Sequence, residues 1–432
     1  MTEGLVVLFV VFILTTVLGV PIGICMLASG FAYFIATGQD VGLVADQTMN
    51  GLYNSYLLIA VPLFIFVANV MNASGVVGRL LAFGAALVGH LPGGLGQVNV
   101  VSNLIFSGMS GSAVADASGP GLVVARMMME NGRYPRGFAA ATSVAAATLG
   151  PLMPTSIALI FYAIVANTSV GAMLVAGILP ALLMTAVFMS TVAVIASRRN
   201  FPREPRTSLA ALPRIFANAF LPLLMPFILL GFIYSGTTTP TEAAAIAAAY
   251  ALFLAFGVYR SMSIRKIFPV IIETVRATTM IATIMAGAFV FNYAIANENV
   301  PQLIQETLIS WHLSPFGFLL CANALMLILA IFLDEVTILL VVVPLLIPVA
   351  VGLDINLVHF GVVVILNMMV GLALPPHGLL IFVMNGLTGT PLEEIYKEVM
   401  PFIVAMVLVV FFITFVPIVA LWLPTSLGLI MP

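Results

Sequence analysis

"SGMSGSAVADASG" occupies residues 107–119 and holds four serines, three glycines and one aspartate between two long apolar runs. Residues this small and polar are poorly suited to face lipid, yet the chain around them is suited to little else. Of its 432 residues, 62% are hydrophobic and only 7% are charged; the mean hydropathy is +1.22. A soluble domain carries about 25% charged residues. The composition therefore implies an all-α polytopic membrane protein, because a lipid-spanning segment must satisfy its own backbone, as a helix does. The polar stretch is an island in that protein and needs its own explanation.

Composition also excludes partners. The net charge of −2, without a basic tail, gives no footing for nucleic acid. Cys25 and Cys321 both lie in apolar runs, so neither a disulfide framework nor a metal cluster is expected. The N-terminal MTEG has no basic region, and the apolar stretch 5–35 is too long for a signal-peptide core. It is expected to be retained.

A spanning helix needs roughly 20 apolar residues. This predicts crossings at 5–20, 22–37, 57–73, 137–165, 170–197, 217–234, 241–259, 278–297, 357–385 and 392–423. The stretches 94–130 and 315–350 read apolar, then polar, then apolar again, with each arm short for a crossing. Taken as re-entrant hairpins, and with the N-terminus outside, they sort all 14 Lys and Arg to one face. These are Arg79; Arg126, Arg133 and Arg136; Arg198, Arg199, Arg203, Arg206 and Arg214; Arg260, Arg265, Lys266 and Arg276; and Lys397. The opposite loops hold Glu3, Asp40, Asp46, Glu298, Glu306 and Asp354 and no cation. The positive-inside rule then makes the basic face cytoplasmic and places both termini outside.

The order of features repeats. "GFAAATSVAAATLGPLMPTSIALIFY" (137–162) and "HFGVVVILNMMVGLALPPHGLLIFV" (359–383) are apolar helices broken by Gly and Pro, with Pro154 matching Pro376. Each follows a hairpin, three crossings and an amphipathic stretch, 79–91 or 299–312. Five crossings per half make the second half inverted relative to the first. Inverted repeats with interrupted helices are the main sequence pointer to a secondary transporter and its binding site.

The island then has a purpose. A hairpin tip or helix break frees backbone groups that line an aqueous cavity or hold a ligand. Helix N-termini favour anions, while carbonyls and C-terminal ends favour cations. The candidate ion and substrate residues are Asn103, Ser107, Gly108, Ser110, Gly111, Ser112 and Asp116 in the first hairpin and Thr148, Gly150, Pro154, Thr155 and Ser156 in the first break. The second half adds Asp334, Glu335 and Thr337 in its hairpin and Gly371, Pro375, Pro376, His377 and Gly378 in its break. Neither Lys nor Arg falls in these tips and breaks, so helix ends and bound cations would hold an anionic substrate. Asp334, Glu335 and Asp116 are read either as ion or proton ligands or as helix caps. Gln97, Asn99 and Asn103 would orient the first tip. Glu242, after "TTTPT", reads as a helix-start residue, and His90, His312 and His359 read as interfacial.

The segments "LPGGLGQVNVVSNLIFSGMSGSAVADASGPG" (91–121), "FAAATSVAAATLGPLMPTSIALIFY" (138–162), "FLDEVTILLVVVPLLIP" (332–348) and "HFGVVVILNMMVGLALPPHG" (359–378) resemble the large membrane subunit (M subunit, permease) of tripartite ATP-independent periplasmic (TRAP) transporters. The resemblance runs from about Leu5 to Pro424. It implies an elevator-type ion-transporter fold in the bacterial inner membrane and sodium-driven symport of a carboxylate such as a C4-dicarboxylate or sialic acid. It further implies a periplasmic substrate-binding protein and a small four-helix membrane subunit, expected as a separate chain. Sodium is the implied coupling ion, assigned to Ser107, Ser110, Ser112 and Gly371, and no other cofactor is implied. Two departures stand out. The second break reads Leu374-Pro375-Pro376-His377-Gly378 where relatives read Thr-Pro-Pro-Val-Gly, and Thr155 stands where a second proline is common in the first.

The expected layout is a scaffold (1–78 and 217–298), amphipathic arms (79–93 and 299–314), a transport domain (94–197 and 315–432) and a basic linker (198–216). The chain is not expected to be an enzyme. Three rivals are weighed: a symporter working without a binding protein, a passive channel, and an intramembrane serine protease. The last rests on Gly108-Met109-Ser110-Gly111, which matches G-x-S-G and would need a histidine such as His377 within reach.

Overall fold

The computed structural model describes residues 2–430 except 55, 236, 311–313, 332 and 377, and among these it is helical with no strand. His312 and His377 lie outside the described residues.

The chain begins with α1 (Glu3–Val17) and α2 (Ile22–Ala36), joined through a left-handed Gly19. The stretch after α2, not expected to be regular, forms α3 (Gly42–Asn54). Then come α4 (Ala60–Ala73) and α5 (Val76–Val88), set at 75° to each other by the left-handed Gly75. The two helices therefore do not run on as one straight rod.

Helix α6 (Gly94–Ser110) ends on left-handed Gly111, and the chain turns into α7 (Ala113–Asp116), a π-helical turn (Ala117–Gly121) and α8 (Leu122–Met129). Helix α8 packs back on α6, which closes a hairpin. The first broken helix comprises α9 (Arg136–Ala147) and α10 (Ile157–Val165), bent by 42° across 148–156. Ser156 restarts it by accepting the Leu159 amide at 3.0 Å, as an N-cap does. Next are α11 (Val170–Ala176) and α12 (Ile178–Arg199).

The same order recurs. Helices α13 (Leu212–Tyr234), α14 (Pro240–Leu252) and α15 (Ile264–Asn297) are followed by α16 (Val300–Ser310). Helix α14 opens with the capping box of Thr239 and Glu242, so Glu242 is a helix-start residue as expected. Helix α15 has 34 residues and extends well before the expected crossing at 278–297. The second hairpin comprises α17 (Pro315–Leu329), α18 (Glu335–Thr337), a π-helical turn (Ile338–Val342) and α19 (Val343–Gly352). The second broken helix is α20 (Leu357–Ala373) and α21 (Leu379–Thr388). Helices α22 (Leu392–Phe415) and α23 (Ile418–Ser426) close the chain.

Among the described residues, six helices are long and apolar enough to cross a membrane, or eight if two bent pairs each count once. The expected ten crossings differ for a local reason. Helices α1 and α2 stop at 15 residues each, at Gly19 and at the Gly38 turn, and the second broken helix divides into lengths of 17 and 10. The segment Glu335–Gly352, expected as a hairpin arm, is by length and composition one of the six; its α19 packs against α17 and α20.

Two helix bodies result. In one, α15 lies along α2, α3 and α4, and the fit of α2 to α15 is close because both carry glycine at the contact. A Cβ on Gly23 would stand 2.6 Å from the Thr283 carbonyl oxygen, and one on Gly287 would stand 2.9 Å from Met26 Cβ. Small residues that let backbones approach are the usual adhesive of membrane helices. In the other body, buried amides tie each hairpin to its broken helix. Asn99 donates to Ser143 at 2.6 Å and Asn103 to Asn99 at 2.7 Å. In the second half Asn367 donates to Asn323 at 2.7 Å, and Asn323 to Thr414 at 2.9 Å. Gln97 instead reaches the Met189 carbonyl of α12 at 2.9 Å. His359, expected at an interface, is buried and bonded to the Ile413 carbonyl at 2.9 Å, because its α20 packs against α22.

Candidate functional site

A cavity of about 1390 Å³ lies between the two bodies. The first hairpin contributes Gly111, Ser112 and Ser118, and the first break Pro151 and Ile157. The second hairpin contributes Asp334 and Glu335, and the second broken helix Met368 and Gly371. The facing wall is Asn69 and Asn72 of α4, the start of α2, and Glu273, Thr279 and Thr283 of α15. Both tips and both broken helices therefore reach one space, and among the described residues no Lys or Arg lines it.

Most of the candidate residues divide into two groups. Gly111, Ser112, Asp334, Glu335 and Gly371 line the cavity. Asn103, Ser107, Gly108, Ser110, Asp116, Thr148, Gly150, Pro154, Thr155, Ser156, Thr337 and Gly378 are buried behind it. Pro375 is half-buried; Pro376 is exposed, and its carbonyl accepts the Tyr396 hydroxyl at 3.0 Å.

The buried group has a centre. Asp116, fully enclosed, accepts the hydroxyls of Ser107 and Ser110. This corrects the capping role considered for Asp116: the cap of α7 is Ser112, which accepts the Ala115 amide at 3.4 Å. The hairpin tip is seated on the first break. Thr155 donates to the Ser107 carbonyl at 2.9 Å, and Gly111 lies so close to the Thr155 carbonyl that a Cβ would collide with it. At Gly150 a Cβ would stand 2.8 Å from Asp116 Oδ2. A carboxylate and two hydroxyls form an all-oxygen donor set, which suits a hard cation. Of the residues assigned to sodium, Ser107 and Ser110 meet at Asp116. Ser112 caps α7, and Gly371 packs on Ala330 of the second hairpin.

At the second tip, Asp334 caps α18, accepting the amides of Val336 and Thr337 at 3.1 and 3.2 Å and the Thr337 hydroxyl. One Glu335 oxygen, Oε2, is buried without a hydrogen-bond partner among the described residues. Sequence reading missed Asn72 and Glu273 of the cavity wall. Each sits on a helix of the opposite body, and only tertiary packing brings it here.

The family model for the tripartite ATP-independent periplasmic transporter, DctM component, matches residues 9–419. The chain belongs to this family. It is thus a transporter permease and not an enzyme, and the hydroxyl of Ser110, the protease candidate, is bonded to Asp116. This large permease is 36% identical over 407 residues to the sialic acid TRAP transporter large permease SiaM of Vibrio cholerae, covering 94% of this chain and 95% of that one. It is 37% identical over 374 residues to the C4-dicarboxylate large permease DctM of Pseudomonas aeruginosa, covering 87% of each. With the sialic acid TRAP permease SiaT of Haemophilus influenzae it shares 34% identity over 417 residues, which is 96% of this chain and 68% of SiaT. Its fold resembles the crystal structure of the Alcanivorax borkumensis YdaH transporter, with a TM-score of 0.58 at 14% identity, covering 88% of this chain and 87% of that one.

Proposed function

We propose that this permease imports an organic carboxylate in symport with sodium, by an elevator motion of one helix body past the other. The observation that carries the reading is the cavity: two tips and two broken helices face it, lined without a Lys or Arg among the described residues. An anion held there must draw on helix ends and on cations bound beside it. The Asp116 centre, seated against the first break, is the place where a sodium would organise the first tip before the acid arrives.

In this reading the moving body is 94–197 with 315–424, and the fixed scaffold is 5–73 with 217–297, the arms α5 and α16 joining them. The halves are inverted and the hairpins re-entrant. With the topology expected from the charges, the start of α2, the end of α4 and Glu273 all lie toward the cytoplasm, so the cavity opens inward. A periplasmic binding protein delivers the substrate, and a small membrane subunit braces the scaffold. The names of the sialic acid and C4-dicarboxylate relatives support the substrate class.

The test is uptake of labelled succinate and of labelled sialic acid into proteoliposomes, with the matching binding proteins and small subunit supplied. We expect uptake of one of them in sodium, none in choline, and sodium-dependent counterflow. Equal uptake in both salts would refute the coupling.

A further inference from the structure

Each hairpin has proline in its returning arm, Pro120 in the first and Pro344 and Pro348 in the second, and a proline offers no N–H to the carbonyl of the preceding turn. In the second hairpin Pro344 follows Leu340 by four residues and has no N–H to give it. In the first, the π-helical turn 117–121 pairs groups five residues apart, and Pro120 falls five after Ala115. Gly119, at φ −88° and ψ −108°, kinks the chain there, and the Ala115 carbonyl accepts the Ser118 hydroxyl at 3.3 Å.

A side chain from the facing body reaches each of these carbonyls. Asn292 of α15 donates to the Leu340 oxygen at 2.6 Å, and Asn72 of α4 donates to the Ala115 oxygen at 3.4 Å. Only the amino end of an amide can donate to a carbonyl. In both residues the other end, Oδ1, is buried and has no partner among the described residues. Gly119 makes room for this contact, since a Cβ there would collide with Asn72 Oδ1.

We propose that Asn72 and Asn292 are positioning residues for transport, each donating to a hairpin carbonyl about one turn before a proline and together holding the hairpins in register with the scaffold in this conformation. The proposal rests on the elevator reading. Sliding one body past the other by a single helical turn, about 5.4 Å, breaks both bonds, so they bias the protein toward the state in which they form.

The experiment uses Val114→Cys at the first tip, which lines the cavity and is exposed, in a Cys25→Ala/Cys321→Ala background. Labelling by a membrane-impermeant maleimide is timed in right-side-out and inside-out vesicles, which needs no known substrate. Asn72→Leu and Asn292→Leu keep the branched shape and remove the donor. Each should lower the ratio of cytoplasmic to periplasmic labelling about threefold, and the double variant about tenfold, as interhelical hydrogen bonds of ordinary membrane strength imply. If the leucine variants are not recovered from the membrane, Asn72→Ala and Asn292→Ala should shift the ratio in the same direction. A folded double variant with an unchanged ratio, labelled from both faces, overturns the proposal and leaves the elevator standing. Labelling from one face alone, in sodium and in choline, defeats the elevator and the proposal together.

Discussion

Asp116→Asn is the sharpest perturbation the first hairpin offers. The amide has the shape of the carboxylate and keeps one acceptor, and the hydroxyls of Ser107 and Ser110 can rotate to meet its donor. The tip should therefore stay folded while losing one buried negative charge. A unit charge about 4 Å from a bound cation is worth about 4 kcal/mol at an effective dielectric of about 20. That corresponds to about three decades in affinity. The amide dipole and entering water return part of it, so the half-saturating sodium concentration should rise about 100- to 1000-fold. Two assays read this. One is the sodium titration of counterflow in potential-clamped proteoliposomes; the other is the rise of Tm with sodium chloride against choline chloride. A well-folded Asp116→Asn protein whose half-saturation stays within about twofold of the parent would refute the assignment of a cation to this centre.

Other expectations follow from the packing and the topology. Leu91→Cys and Asn131→Cys flank the first hairpin and should both react with an impermeant maleimide from the cytoplasmic face; reaction from opposite faces would make the hairpin a crossing pair. Gly287→Val would press its side chain on the Gly23 carbonyl and on Met26, an overpacking cost of about 3 kcal/mol. It should lower Tm by several degrees, and an unchanged Tm would show that α2 and α15 are not held at this contact.

The parts of the fold that were legible in the sequence have local causes. The turn at Gly111 follows from Gly and Ser between apolar arms, and the break at 148–156 from Gly150, Pro151 and Pro154. Asp334 and Glu242 sit where capping chemistry places them. Helix α3 was not legible, because "GLVADQTMNGLYN" is too polar to read as a crossing. The front of α15 was obscured by Arg265, Lys266, Glu273 and Arg276, which read as loop but ride on a helix that runs on beyond the apolar part. The bonds from Ser107 and Ser110 to Asp116 depend on where the hairpin turns, and those of Asn72, Asn292 and His359 on which helices become neighbours. No periodicity in one segment encodes such contacts.

The cavity wall has an implication for leakage. Its described ionisable members are Glu273, Asp334 and Glu335, all acids. Under the proposed function, an organic acid entering without its cations would meet repulsion and little to replace the water it gives up. Uncoupled slippage is then disfavoured by electrostatics alone, with no separate gate required, and the cell's store of accumulated acid is protected whenever external sodium runs low.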